Sequence, residues 1–281
     1  MSPTPKTRAK TSAKSASATY VYCVVKGDAK RAVAGAKRGK RGEGLEAAGA
    51  PRTIDVGDGY HVVVSDVPLS LYSAEAIEAK LHDLEWVGAA ASAHETVVES
   101  AGASGTVVPM KLFTIFSSDD RAADHVRKMK KSLDKVVAKI SGCEEWGLRI
   151  LFDEAGAAKA KEKLAAKRPK APVSGTSFLL RKKATEETRR RLTSEAKHEV
   201  DDLFVRLEKT AKRAVRRPPP NRELAGQVLL DAVFLVPEKR TKQFKTTVAT
   251  HAKELADQGD HVTLSGPWPA YSFIGGDEEA R

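Results

Sequence analysis

At 281 residues the chain is long enough for one large domain or two ordinary ones, and its 41% hydrophobic and 30% charged residues describe a globular protein with a heavily charged surface. No run approaches the roughly 18 apolar residues of a membrane span, and the apolar stretch Val21 to Val25 is too short for a signal-peptide core, so a cytoplasmic protein is expected. The net charge of +11 invites a nucleic-acid partner, but residues 1–52 hold twelve basic and three acidic residues, which leaves the rest almost neutral.

Residues 1–18 are Ser, Thr, Ala, Lys and Pro without apolar periodicity, and are expected to be a disordered basic tail. Tyr20-Val-Tyr-Cys-Val-Val25 is β-branched and aromatic throughout, as a strand buried on both faces would be. A basic, glycine-rich loop over residues 26–49 follows. Thr53–Val56 and Tyr60–Ser65 form a hairpin, with Asp58-Gly59 supplying the turn. After Ser73, the spacing of Ile77, Leu81, Leu84 and Val87 predicts a helix. Thr106–Phe116 returns to strand character, and Pro109 demands an edge or a bulge.

Ser118 or Asp119 caps the clearest helix, whose apolar stripe is Ala122, Val126, Met129, Leu133, Val136, Val137 and Ile140. Burying five such side chains contributes about 8–15 kcal/mol before the cost of ordering them. Arg127, Lys128, Lys130, Lys131 and Lys135 occupy the opposite, solvated side. Glu145–Phe152 is the next strand, and the domain boundary is drawn beside it, giving domains over 19–142 and 143–276 and a tail over 277–281. Residues 154–176 read as a charged helix and a loop. A long helix is expected from Thr185 to Val215, with Leu192, Ala196, Val200, Leu203, Leu207 and Ala211 inward, stopped at Arg216-Arg-Pro-Pro-Pro220. A short strand near Arg222–Ala225, a strand over Gln227–Val236, a helix marked by Phe244, Val248, His251 and Leu255, and a strand over Asp260–Leu264 complete the pattern. The fold class expected is α+β, with an antiparallel sheet in each domain and helices packed on one face.

Reactive groups are not arranged for catalysis. His94-Glu95 lacks the second histidine of a zinc-protease motif, and His94 is expected on a helix, partly exposed or at a core edge. Gly35-Ala-Lys-Arg-Gly39-Lys40 is one residue short of a phosphate loop, and Gly42-Glu-Gly44 does not continue into a dinucleotide fingerprint. The pairs Asp119-Asp120, Glu144-Glu145 and Asp201-Asp202 are adjacent in sequence, so their carboxylates diverge and read as caps and surface charge. Cys23 and Cys143 are too few for a zinc site or a disulfide framework, which fits a reducing compartment. No catalytic, cofactor or metal site is expected.

One cluster stands apart. In Leu264-Ser-Gly-Pro-Trp-Pro-Ala-Tyr-Ser-Phe273, the glycine and prolines stiffen a turn that carries Trp268, Tyr271 and Phe273, in a chain that is only 6% aromatic. This segment resembles the terminal signature of the gas vesicle protein GvpF/GvpL family. Tyr20–Val25 resembles that family's opening strand, with Cys23 where glycine is usual. Val63–Leu69, His94–Val98, Val108–Phe116, Gly142–Arg149 and Ser177–Lys183 follow in the family's order. The resemblance implies two ferredoxin-like α+β domains and an accessory, non-enzymatic role in gas vesicle formation. It also implies partners in the hydrophobic shell protein GvpA and other minor Gvp proteins, and leaves the GvpF or GvpL subtype open. Trp146, Pro267, Trp268, Pro269, Tyr271 and Phe273 are the motif residues expected to be structural or partner-facing. The alternative function is a nucleic-acid-associated protein acting through the basic amino-terminal arm.

Overall fold

The computed structural model describes residues 16–33, 44–153, 177–218, 227–257 and 260–275. Residues 1–15 of the expected 1–18 tail, the centre of the basic loop, the charged helix and loop over 154–176, the strand near Arg222–Ala225 and the final tail lie outside these residues. Ser17 and Ala18, expected in the disordered tail, belong to the first strand because they pair with Pro68 and Val67. The chain divides into two compact units, 1–135 and 136–281, within the last helix before the 142/143 boundary expected from the sequence. It is an α+β protein with one antiparallel sheet in each unit.

The first unit is built on β1 (Ser17–Gly27), whose residues 18–25 are all buried. Strands β2 (Arg52–Gly57) and β3 (Tyr60–Pro68) form the expected hairpin, and the sheet order is β2-β3-β1-β4. The segment expected as one strand over 106–116 is two: β4 (Gly105–Pro109) pairs with the end of β1, and β5 (Ile115–Phe116) pairs with its beginning. Pro109 has no N–H to extend the ladder and closes β4. Helix α1 (Ala29–Ala32) follows β1, and α2 (Leu69–Tyr72) follows β3.

The single helix expected after Ser73 is also two, α3 (Ala74–Lys80) and α4 (Leu84–Ala101). Asp83 divides them, because its carboxylate accepts from the Glu85 and Trp86 amides and starts a new helix. Leu81 and Leu84 therefore sit at helix ends in solvent rather than on a buried stripe. Similarly, the helix after Ser118 breaks at Met129 into α5 (Asp119–Lys128) and α6 (Lys130–Ile140), while Ala122, Val126, Leu133, Val137 and Ile140 remain buried.

Helices cover both faces of the first sheet, a correction to the one-face expectation. Thr19 and Arg52 reach Asp119 of α5 on one side, while Tyr20 and Tyr22 meet His94 of α4 on the other. The cause is β1 itself, which has no solvent-facing set of side chains to leave uncovered.

In the second unit the order is β6 (Cys143–Phe152), α7 (Ser177–Glu208), β7 (Arg213–Arg216), β8 (Gln227–Pro237), α8 (Thr241–Asp257) and β9 (His261–Trp268). All pairings are antiparallel in the order β7-β8-β6-β9. Alternate residues Trp146, Leu148 and Ile150 of β6 and Leu230, Ala232, Phe234 and Val236 of β8 face one way. They pack against Val200, Leu203 and Leu207 of α7 and Phe244, Val248 and Leu255 of α8. The long helix ends at Glu208 rather than near Val215. Lys212 N–H donates to Leu235 O, and Ala214 and Val215 pair with Phe234 and Val233, so the sheet claims residues that helical spacing had claimed.

Candidate functional site

The carboxyl-terminal motif is anchored on β6. Alternation along β6 turns Trp146 into the helix-covered core and Glu145 to the other face of the sheet. Opposite them, β9 runs to Trp268, beyond the Leu264 end expected, and carries one extra residue between the pairs Glu145–Trp268 and Gly147–Ser265. That bulge contains Gly266 and Pro267, joined by a cis peptide bond. Gly266 has φ +125, and a β-carbon there would lie 2.7 Å from Glu145 O and 3.1 Å from the Trp146 ring. Only glycine fits this approach.

Glu145 holds the segment that follows. Its side chain accepts from the Ser272 amide (2.8 Å) and the Ser272 hydroxyl (2.7 Å), and Arg217 donates to the same hydroxyl at 2.6 Å and lies 3.4 Å from the carboxylate. Burial raises the Glu145 pKa above the usual carboxylate range, against the two Ser272 bonds and the nearby guanidinium. Trp146 is fixed as well: its Nε1 donates to Glu144, which also accepts from Thr241 Oγ1 at the start of α8, and Lys245 lies over the ring.

The six motif residues divide by environment. Trp146 and Phe273 are buried, Pro269 and Tyr271 half-buried, and Pro267 and Trp268 exposed, Trp268 to 42%. The turn expected to be stiffened by its glycine and prolines is held in addition by Glu145, Arg217 and Ser272, none of which the sequence pattern assigned to it. Glu144 and Glu145 are not surface charges; strand alternation gives each its own partners on opposite faces. Glu145 could have been suspected, because it is a carboxylate inside a strand directly before Trp146.

His94 and Asp260 are buried as well. His94 is only 3% exposed rather than partly exposed or at a core edge, and its Nδ1 is hydrogen-bonded with Tyr20 Oη at 2.8 Å. Desolvation, against the backbone of Met110, holds its pKa down to about 4. Asp260, at the start of β9, has both carboxylate oxygens buried without a hydrogen-bond partner, and burial with Glu199 nearby raises its pKa to about 6. Asp119 does not cap α5. Ser118 does so, while Asp119 takes two hydrogen bonds from Arg52 (2.6 and 2.9 Å), which hold its carboxyl below the usual range. Among the described residues no group of three or more His, Cys, Asp or Glu is placed to hold a metal ion, and no helix is long and apolar enough to cross a membrane.

This is an α+β protein of two antiparallel sheet units, whose aromatic motif is locked into strand packing around a buried glutamate. Its sequence matches the gas vesicle synthesis protein GvpL/GvpF family over residues 18–275, and the chain belongs to that family. It is 27% identical over 232 residues to the gas vesicle protein L of a Streptomyces species, covering 82% of this chain and 85% of that protein. The fold is similar to crystal structures of the gas vesicle protein GvpF from an Anabaena species, with a TM-score of 0.60, 15% identity and coverage of 93% and 97% of the two chains. It is also similar to GvpF from Microcystis aeruginosa, with a TM-score of 0.58, 16% identity and coverage of 92% and 99%.

Proposed function

We infer that this chain is an accessory protein of gas vesicle formation that holds the hydrophobic shell protein GvpA and other minor vesicle proteins during assembly, in a chaperone-like or nucleating role and without catalysis. Membership in a gas vesicle synthesis family supports the setting, in the cytoplasm where vesicles form. The observation that carries the holding role is the edge strand β9, which ends in the exposed Trp268 of the family motif. An edge strand offers unpaired backbone donors and acceptors to an extended segment, and an adjacent indole adds apolar area. A shell subunit in transit needs both kinds of cover, because apolar and strand-edge surfaces aggregate in water. Each unit acts in this reading as a ferredoxin-like module with its sheet edge as the working surface.

The nucleic-acid alternative rests mainly on bases outside the described residues. In the folded part, Arg127 is paired with Asp124, and Lys130 with Asp58 and Asp134. The test is a pull-down of purified shell protein by the intact chain and by Trp268→Ala, alongside vesicle counts in a strain lacking the gene. Retention of the shell protein, weakened by the substitution, is expected. No retention, together with normal vesicles in the deletion strain, would remove the proposal.

A further inference from the structure

The helical layer of the first unit carries a charge opposite to that of the whole chain. Residues 69–101, which form α2, α3 and α4, hold the acids Glu75, Glu78, Asp83, Glu85, Glu95 and Glu99 against the single base Lys80, a balance of −5 in a chain of +11. Leu69, Leu81 and Leu84 belong to the same stretch and are three of the five large hydrophobic side chains that stand exposed among the described residues, Leu84 to 82%.

An open groove of about 780 Å³ lies in this layer. One wall is α4, where Trp86, Ala89, Ala90, Ala93 and Thr96 recur at helical spacing and give a face about 15 Å long. Residues 44–48 and Tyr72 complete the lining. Trp86 is held in place before any partner arrives: it stacks on Phe113 with ring centroids 5.3 Å apart and planes 8° apart, and its Nε1 donates to Glu46 at 3.1 Å. Phe113 has φ +61, a conformation rarely adopted by a bulky residue, so the stacking is kept against backbone strain.

The parts define an occupant. Alanines on the α4 wall allow another backbone to come close, and Trp86 offers apolar area. Lys80 lies over the Trp86 ring and is already paired with Glu46 of the lining, so the net acidity of residues 69–101 favours a basic partner. A second copy meeting the same face would set −5 against −5, which opposes self-pairing through this layer. We propose that the groove binds an amphipathic helix of a partner protein, with Ala and Leu on its inner face and Lys or Arg along both borders. The inference rests on the groove and the charge around it, and stands apart from the β9 edge.

Two synthetic peptides of about 14 residues, or four helical turns, provide the probe. They share one Leu/Ala face and carry either Lys or Glu at the border positions. Anisotropy titrations against the intact chain should show the Lys peptide binding at least roughly 10-fold more tightly than the Glu peptide. Ala89→Trp, which fills the groove at an exposed site, should weaken it by a further factor of roughly 10, and Glu78→Gln with Glu85→Gln by a few-fold at low salt. Circular dichroism confirms that each variant is folded. Equal binding of both peptides, absence of Lys-peptide binding, or unchanged binding by a folded Ala89→Trp variant would each overturn the proposal. So would a dimer that dissociates on Ala89→Trp, which would make a second copy the occupant. A tenfold gain in affinity on replacing Lys37, Arg38, Lys40 and Arg41 by Ala would likewise assign the groove to the chain's own bases.

Discussion

His94 makes the stability of the first unit depend on pH in a direction that can be worked out. The imidazole titrates near 6.5 in the unfolded chain and near 4 in the folded one, because burial disfavours its charged form. Between those values the unfolded state holds the additional proton, so acidification favours unfolding. The stabilisation is fully present above pH 6.5 and is lost as pH falls toward 4. Integration between about pH 7.5 and pH 5 gives a loss of about 2 kcal/mol, with a ceiling of about 3 kcal/mol over the whole shift. Asp260 in the second unit works in the opposite sense. With a folded pKa of about 6 against 3.8, it penalises the folded state at neutral pH and ceases to do so as pH falls. A melt of the wild-type chain alone would mix the two effects. His94→Gln separates them, since the side-chain amide both donates and accepts, can still pair with Tyr20 Oη and does not titrate. Urea unfolding of both chains across this pH range should show the wild type's advantage shrinking by about 2 kcal/mol on acidification. A difference that stays constant within about 0.5 kcal/mol would refute a neutral, buried His94.

The second unit gives further tests. Asp260→Asn, which removes an unpaired buried carboxylate, should stabilise the chain by about 1 kcal/mol at pH 7.5 and by much less near pH 4, read from urea midpoints. Gly266→Ala should cost about 2–4 kcal/mol, because the new methyl meets Glu145 O and the Trp146 ring at a positive φ; a shift of less than about 0.5 kcal/mol would contradict that geometry. Glu145→Ala leaves the Ser272 amide without its acceptor, and should raise amide exchange over residues 270–274 well before α8 is affected, with about 2 kcal/mol of lost stability. Phe113→Gly should relieve strain worth about 1 kcal/mol and forfeit a stacked pair worth about the same, leaving stability near wild type while Trp86 emission shifts to the red.

Much of the strand content was legible because the physics is local. Tyr20–Val25 is a continuous apolar run, Val228–Val236 is interrupted only by Asp231, and Asp58-Gly59 sets its own hairpin. Helix limits were less legible, since apolar spacing continues through points where a side chain or a sheet ends the helix. Asp83 caps α4 in the middle of the Ile77–Val87 periodicity, and Ala211 to Val215 keep helical spacing although Phe234 and Val233 draw them into β7. The candidate site was half legible. Trp146, Trp268 and Phe273 stood out as scarce aromatics, whereas Glu145, Arg217 and Ser272 are far apart in sequence and acquire a role only when β6 and the chain after β9 meet.

Charge shows the same limit from another side. Summed along the sequence, the part after residue 52 is nearly neutral, and that sum gave no reason to look for an acidic surface. Folding places α2 and α4 on one side of the first sheet, with α3 beside α2, so their acids share a layer, while the charge-balanced α5 lies against the other face. Like charges gathered on one surface repel and oppose folding by some fraction of a kcal/mol per pair. The proposed basic helix would offset that repulsion, and the exposed Leu69, Leu81 and Leu84 on the same stretch give it apolar surface beyond the groove to cover.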